Sequence, residues 1–339
     1  MQSFRAPRAT TNPYITQLDR SLARSAQVVH ERFSWAGALF GRYDVFQWHW
    51  PEGKLEGTTW WKTLGKYLLT CAIVLRHAVS RRIAVVRTVH NVELPDVNAP
   101  RRWLLRIIDR QADHRIVLNT FTPVPAGAAS SLILHGHYRD WYAPQPTSAP
   151  IPGRLAAFGA VRRYKSLDAL LDAYAGAVEQ RPSLSLHVGG RPSSPQIGQE
   201  VRDRTAALPH VELTLSFLSD AELVRLATSA QLIVLAYRFM HNSGSVLAAL
   251  SLDRPVLVPR NAVNEELADE VGRDWVLMFD GDLTPEQLLS AMDRAATLPA
   301  GARPDLSRRD WDLAGQAHAD AFTAALAAKR GIPTKAHVA

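Results

Sequence analysis

One cysteine in 339 residues, Cys71, leaves nothing for an intrachain disulfide or a cysteine-built metal cluster. Such usage fits a reducing cytoplasm. Cys71 lies in an apolar helical pattern and is expected in the core. Long apolar runs are missing too. The longest, Tyr67 to Leu75, contains Thr70 and falls far short of the ~20 residues that span a bilayer. The first residues, Met1-Gln2-Ser3-Phe4-Arg5, lack the apolar stretch of a secretory signal. There is no GxxxxGK[ST], which argues against a P-loop, and no GxGxxG after an early strand. Gly189-Gly190 is too sparse for a dinucleotide fingerprint. No HExxH or paired Cys/His pattern exists to hold zinc. Asp280-Gly281-Asp282 has the DxD form that holds a divalent ion in some enzymes, but its central glycine reads as a turn.

The length suggests roughly two domains of ~150 residues. The formal charge of +7 is unevenly spread. Residues 1–150 carry 19 Lys+Arg against 10 Asp+Glu, a net +9; the remainder carries 20 against 22, a net −2. A basic first half suggests an anionic partner: a membrane surface, a lipid-linked diphosphate or a nucleic acid. Nucleic acid is the weakest of these, because the basic residues lie on helices with no known nucleic-acid module around them.

Along the chain, short apolar strands alternate with amphipathic helices. Strands are expected near residues 3–10, 28–33, 44–48, 83–89, 115–118 and 131–134. Helices are expected at 13–26, where Pro13 takes the first turn, at 59–82 and at 99–112. The stretch 143–153 is rich in Pro, Ser and Ala and reads as a linker. Strands then follow at 155–158, 184–188, 211–217, 232–236 and 256–258. Ser166 is expected to cap one helix, Ser219-Asp220-Ala221-Glu222 forms a capping box for another, and Thr284-Pro285-Glu286 opens a later one. The last helix is expected at about 313–329. This alternation indicates an α/β protein built of parallel βαβ units.

Ligands of open α/β sheets lie beyond the carboxyl ends of the strands. In the first half those ends carry His49 and Glu52, His90 and Asn91, and His135 and His137. In the second half three polar loops are placed to meet one ligand. They are Arg162, Arg163 and Lys165; Gly189, Gly190 and Arg191; and Asn242, Ser243, Gly244 and Ser245 at a helix start. Cations with a helix N-terminus suit a diphosphate. Tyr237 and Arg238 either contact a nucleoside or sugar, or only terminate a strand.

Taken together, FGAVRRYKSLDALLDAY, LHVGGRP, LSDAEL with AQLIVLAYR, and NSGSVLAALSLDRPVLVP resemble the donor domain of GT-B glycosyltransferases. DVFQWHWPE, RTVHNVELP and LHGHYRDWY are similar to one bacterial branch, the cell-wall and exopolysaccharide transferases that include GDP-mannose:glycolipid β-mannosyltransferases. The resemblance covers about residues 10–325. It implies two facing Rossmann-like domains with a central cleft: an acceptor-binding domain at 1–148, a nucleotide-sugar domain at 149–312, and a final helix and tail, 313–339, returning to the first. It implies metal-independent transfer of a sugar, GDP-mannose being the favoured donor, to a lipid-linked or polysaccharide acceptor. The work would be done in the cytoplasm or on the inner face of the plasma membrane, with no cofactor beyond the co-substrate. Arg162 and Lys165 match the family's diphosphate-binding cations, and Ser243, Gly244 and Ser245 its pyrophosphate turn. Many retaining relatives carry two glutamates where this chain has Met240 and Ala248, so ribose recognition is unassigned.

An inverting transfer needs a base near the acceptor hydroxyl. Glu93, Asp96 and His90 are the catalytic candidates, with His49 or Glu52 next. Trp60, Trp61, Lys62 and Lys66, with Arg101, Arg102, Trp103, Arg106 and Arg110, mix cations with aromatics as at an anionic membrane interface. Two alternatives stay open: a non-catalytic nucleotide-sugar-binding protein, and a GT-B epimerase or hydrolase acting on a nucleotide sugar.

Overall fold

The structure is a computed structural model that describes residues 1–8, 11–91, 97–238 and 240–331. By internal contacts the chain divides into two units, Met1–Gly136 with Arg309–Ala339, and His137–Arg308.

The first unit contains α1 (Pro13–Arg24), α2 (Trp35–Phe40), β1 (Val45–Trp48), α3 (Trp60–Val79), β2 (Ala84–Val89), α4 (Ala99–Arg110), β3 (His114–Val117) and β4 (Ser130–Leu132). The second contains α5 (Arg139–Tyr142), β5 (Arg154–Phe158), α6 (Leu167–Gln180), β6 (Ser185–Gly189), α7 (Pro195–Thr205), β7 (Val211–Thr214), α8 (Asp220–Ser229), β8 (Leu232–Val234), α9 (Gly244–Ser251), β9 (Val256–Pro259), α10 (Ala262–Val271), β10 (Val276–Phe279) and α11 (Pro285–Ala296). The last helix, α12 (Trp311–Lys329), belongs to the first unit.

In the first unit four parallel strands run in the order β1-β2-β3-β4, with Val45 opposite Ala84, Val86 opposite His114 and Arg115 opposite Ser130. Side chains of β2 alternate between two cores, as a strand's period of two requires. Ala84 and Val86 meet Leu18 and Leu22 of α1 and Trp311 and Phe322 of α12. Val85, with Ile83 just before the strand, meets Ile73 and Val74 of α3 and Leu104, Leu105 and Ile108 of α4. Asn12 starts α1 by accepting from the Tyr14 N–H at 3.0 Å. Cys71 is half-buried against the second of these cores.

Among the described residues no strand forms at 3–8 or 28–33, where strands were expected; residues 9 and 10 of the first lie outside them. Residues 1–4 instead bridge β1 and the segment 31–33 through single bonds: Ser3 N–H to Gln47 O at 2.9 Å, Gln2 N–H to Glu31 O at 2.8 Å and Phe33 N–H to Phe4 O at 2.8 Å. With one bridge, Gln2 to Gln47, no ladder propagates.

In the second unit six parallel strands run β10-β9-β8-β5-β6-β7. Counted within the unit this is the doubly wound order, in which the chain leaves its first strand in both directions. The crevice where the order reverses therefore lies at the carboxyl ends of β5 and β8. The stretch 143–153 lies inside this unit. Tyr138 and Tyr142, around α5, sit in its core beside Ala156, Ile233 and Val256, which fixes the start of the unit upstream of that stretch. Ser219 and Glu222 form the anticipated capping box on α8, and Thr284 with Gln287 forms another on α11.

Candidate functional site

Two polar clusters form, one in each unit, both at strand carboxyl ends. In the second unit the loop after β5 and the segment between β8 and α9 converge at the switch point. Gly159 leaves β5 with φ +105°, and a Cβ there would lie 2.9 Å from Lys165 Nζ and 3.4 Å from Ser245 Oγ. Lys165 and Ser245 are therefore neighbours across a glycine floor. Tyr237 joins them. Its ring centroid is 4.7 Å from Lys165 Nζ, and its hydroxyl donates to Ser245 Oγ at 3.3 Å. Burial holds the Lys165 ammonium below its usual range, with Arg162 adding to the effect, and burial raises the Tyr237 phenol to about 12. Ser243 caps α9 by accepting from the Val246 N–H at 3.4 Å. The free N–H end of α9 thus opens beside a confined cation, an arrangement suited to a phosphate or diphosphate.

The other residues singled out in this unit separate into roles. Arg162 and Arg238 are exposed and line a neighbouring depression with Arg163, Glu200 and Arg204. Arg163 pairs with Glu200 at 3.0 Å. Asn242 is half-buried next to Ser243. Gly189 and Gly190 serve packing: a Cβ on Gly190 would stand 1.9 Å from Gly159 O, and one on Gly189 would strike Leu226. Arg191 is exposed, and its carbonyl accepts from Val161 N–H at 3.0 Å. Ser166 is left-handed, φ 45°, and its side chain does not cap α6. Asp280-Gly281-Asp282 is a turn, with Gly281 at φ +67° and Asp280 bound to Arg260 at 2.8 Å.

In the first unit the ends of three strands bring three histidines together. His49 follows β1, His90 follows β2 and His135 follows β4. The rings of His49 and His90 are 3.2 Å apart, Nδ1 to Nε2, and His49 Nε2 lies 3.0 Å from Gln2 Oε1. Since the amide oxygen only accepts, His49 carries its proton on Nε2 and accepts from His90 Nε2–H. That tautomer leaves Nδ1 as the accepting nitrogen of His90. Trp50 stacks on His90 at 3.7 Å, and Tyr14 packs edge-on against His90 at 5.3 Å and tilted against His135 at 4.7 Å. Burial drives all three histidines to the neutral form; His135 falls to about 4. The positive charge of Arg87 adds to this for His49 and His90. The Arg87 guanidinium is tied to the carbonyls of His49 and Thr88.

His90, Asn91, Glu52, Arg87 and Trp50 line an open depression of about 1250 Å³, together with Arg106, Arg110 and Arg115. Glu52 is half-buried there, and its charge acts on Arg87. Glu93 and Asp96 lie outside the described residues. His137 does not join the cluster: it belongs to the second unit, where its Nδ1 accepts from the Arg139 N–H at 3.3 Å at the start of α5. Sequence reasoning missed Tyr14, Trp50, Gln2 and Arg87. The charge inside the apolar run of β2 was the available signal for Arg87.

No family model matches the chain. Two curated proteins of Xanthomonas campestris pv. campestris do, both GDP-mannose:glycolipid 4-beta-D-mannosyltransferases. One is 39% identical and the other 38%, each over 325 residues that cover 96% of this chain and 91% of the relative. The chain belongs to the GDP-mannose:glycolipid 4-beta-D-mannosyltransferase family. As a member of that family it is a glycosyltransferase. Solved structures agree on the fold. HepE from Anabaena in complex with UDP superposes with a TM-score of 0.55 at 14% identity, covering 85% of this chain and 77% of HepE. Sucrose-phosphate synthase from Thermosynechococcus elongatus gives 0.52 at 14%, covering 85% and 70%. The transferase thus has the GT-B fold, with two parallel-sheet domains and a last helix that returns to the first.

Proposed function

We propose that this transferase moves mannose from GDP-mannose to the saccharide of a lipid-linked acceptor, in cell-envelope or exopolysaccharide synthesis at the cytoplasmic face of a membrane, without a metal ion. Identity of 39% across 96% of the chain to transferases that bear this donor and acceptor class in their name carries the reading. The donor diphosphate is met by Lys165, Arg162 and the N-terminus of α9 from Asn242 to Ser245, which neutralise the leaving group as its charge develops. Making a β-linkage from an α-linked sugar nucleotide inverts the anomeric carbon. Inversion requires a base to take the acceptor proton. Glu52, half-buried on the depression that His90 lines, supports that role. Glu93 and Asp96 are the other carboxylates offered for it. His90 and Asn91 contact the acceptor sugar.

Calorimetry against GDP, UDP, ADP and dTDP, with and without Mg²⁺, tests the donor site. GDP is expected to bind without the metal and to weaken at least about tenfold in Lys165→Met. Transfer of labelled mannose to extractable lipid in bacterial membranes tests the chemistry. Glu52→Gln is expected to cut transfer by about 10²-fold or more with GDP affinity unchanged. A Glu52→Gln enzyme within threefold of wild type moves the base to Glu93 or Asp96. Failure to bind any nucleotide overturns the proposal, and mannose release without an acceptor replaces transfer by hydrolysis.

A further inference from the structure

Helix α3 buries Thr70, Ile73, Val74 and His77 under the sheet, with Tyr67 and Cys71 half-buried beside them. Its outward face should then be polar, as on an ordinary surface helix. It is not. Trp60, Trp61, Leu64, Leu68, Leu75 and Val79 are all exposed, Trp60 at 73%, Leu75 at 64% and Val79 at 72%. Ala72 and Ala78 fill the gaps and are exposed as well. At 100° per residue these eight positions fall in a sector of roughly 120°, along a helix about 30 Å long. Scattered exposed apolar residues need no explanation, but a continuous stripe marks an interaction surface.

The charges nearby select the partner. Residues 57–92 contain no Asp or Glu, and carry Lys62, Lys66, Arg76, Arg81, Arg82 and Arg87. Lys62 is exposed beside the stripe, and Arg81 and Arg82 are exposed just past its end. On α4, Trp103 is 58% exposed between exposed Arg102 and Arg106. Among the described residues no helix is long and apolar enough to cross a membrane. An apolar stripe with tryptophans at one end, in a surround where, among the described residues, cations outnumber the one exposed acid, Glu56, matches a helix lying in the plane of an anionic bilayer surface.

We infer that α3 docks the transferase on anionic membrane, its Trp60–Val79 stripe lying among the acyl chains and Lys62, Arg81, Arg82 and the α4 arginines at the headgroups. The lipid-linked acceptor gives this docking a purpose but is not its basis, so vesicle binding and nucleotide binding are read separately.

The test is co-sedimentation of the full chain with phosphatidylcholine vesicles, with and without phosphatidylglycerol. The variants are Leu68→Ser/Leu75→Ser and Lys62→Gln/Arg81→Gln/Arg82→Gln. Both alter exposed side chains outside the site, so thermal midpoint and GDP affinity are expected to equal wild type. Wild type is expected to bind the anionic vesicles. The apolar double variant is expected to lose more than about tenfold in partition coefficient, and the charge variant to lose its preference for phosphatidylglycerol. Wild type remaining in the supernatant, or the double variant binding as well as wild type, overturns the inference. So does a wild-type dimer in light scattering that the double variant abolishes without vesicle binding, which would give the stripe to a second copy. If GDP binding fails while vesicle binding holds, the donor reading falls and the docking surface stands.

Discussion

His318, on α12, is 1% exposed. Its Nδ1 donates to Ala314 O at 2.7 Å, and its Nε2 is buried without a hydrogen-bond partner. Burial lowers its pKa from 6.5 to about 4. The unfolded chain therefore takes up this proton first. The contribution is fully present above pH 6.5 and is lost as pH falls toward the folded value. Between those two values the linkage is worth about 2 kcal/mol at pH 5 and less than about 0.1 kcal/mol at pH 7.5. Replacing His318 by Leu removes the linkage and a buried polar atom, at similar volume. Stability at pH 7.5 is expected to change by less than about 1 kcal/mol. At pH 5 the variant is expected to exceed wild type by about 2 kcal/mol more than it does at pH 7.5. Urea unfolding at the two pH values, followed by tryptophan fluorescence, measures this. Seven of the nine tryptophans (35, 48, 50, 60, 61, 103 and 311) lie in the first unit, so the signal reports on the domain that holds His318. Equal losses from pH 7.5 to pH 5 in both proteins would refute the burial argument.

Two further outcomes are expected. Tyr237 holds Lys165 by its ring and Ser245 by its hydroxyl. Tyr237→Phe should therefore weaken GDP binding by no more than about threefold, and Tyr237→Leu by about tenfold, in calorimetry; equal effects would mean the ring has no part in placing the lysine. Gly190→Ala puts a Cβ against Gly159 O and should destabilise the second unit by more than about 3 kcal/mol, or abolish soluble expression, with a near-wild-type thermal midpoint as the contrary result.

Much of the architecture could be read from periodicity. β1, β2, β5, β6, β8 and β9 lie within a few residues of expectation, because each is a short apolar run with clear punctuation, and the capping box at Ser219 stands where it was expected. α2, α7 and α10 went unread. Their patterns are short, and α7 is largely polar, PQIGQEVRDRT, so packing rather than periodicity holds it. Val28–Phe33 looks like a strand, but the first four residues supply it with single hydrogen bonds instead of a ladder. The meeting of His49, His90 and His135 was legible because parallel strands bring their carboxyl ends to one edge. His137 was not separable from His135 by sequence, since the chain passes from one unit to the other between Gly136 and His137. Tyr237 is a case the sequence left undecided; only the distances to Lys165 and Ser245 give it a task. Gly189 and Gly190 resembled a ligand loop in one dimension; the structure shows why both must be glycine, since a Cβ on either would strike Leu226 or Gly159 O, and Gly189 lines the pocket that Lys165 and Tyr237 share.

The return of α12 to the first unit has a consequence for synthesis. Residues 137–308 are contiguous and can complete their sheet while the chain is still being made. The first 136 residues cannot, because Trp311, Ala314, Phe322 and Ala325 supply one side of their core. On a ribosome the earlier-made domain is thus the later one to close. Until residue 329 has emerged, the faces of α1, β2 and β3 that α12 covers stand open. A premature stop within α12 is then expected to leave a sound second unit attached to an unfinished first one, a species for chaperones and proteases rather than a partly active enzyme.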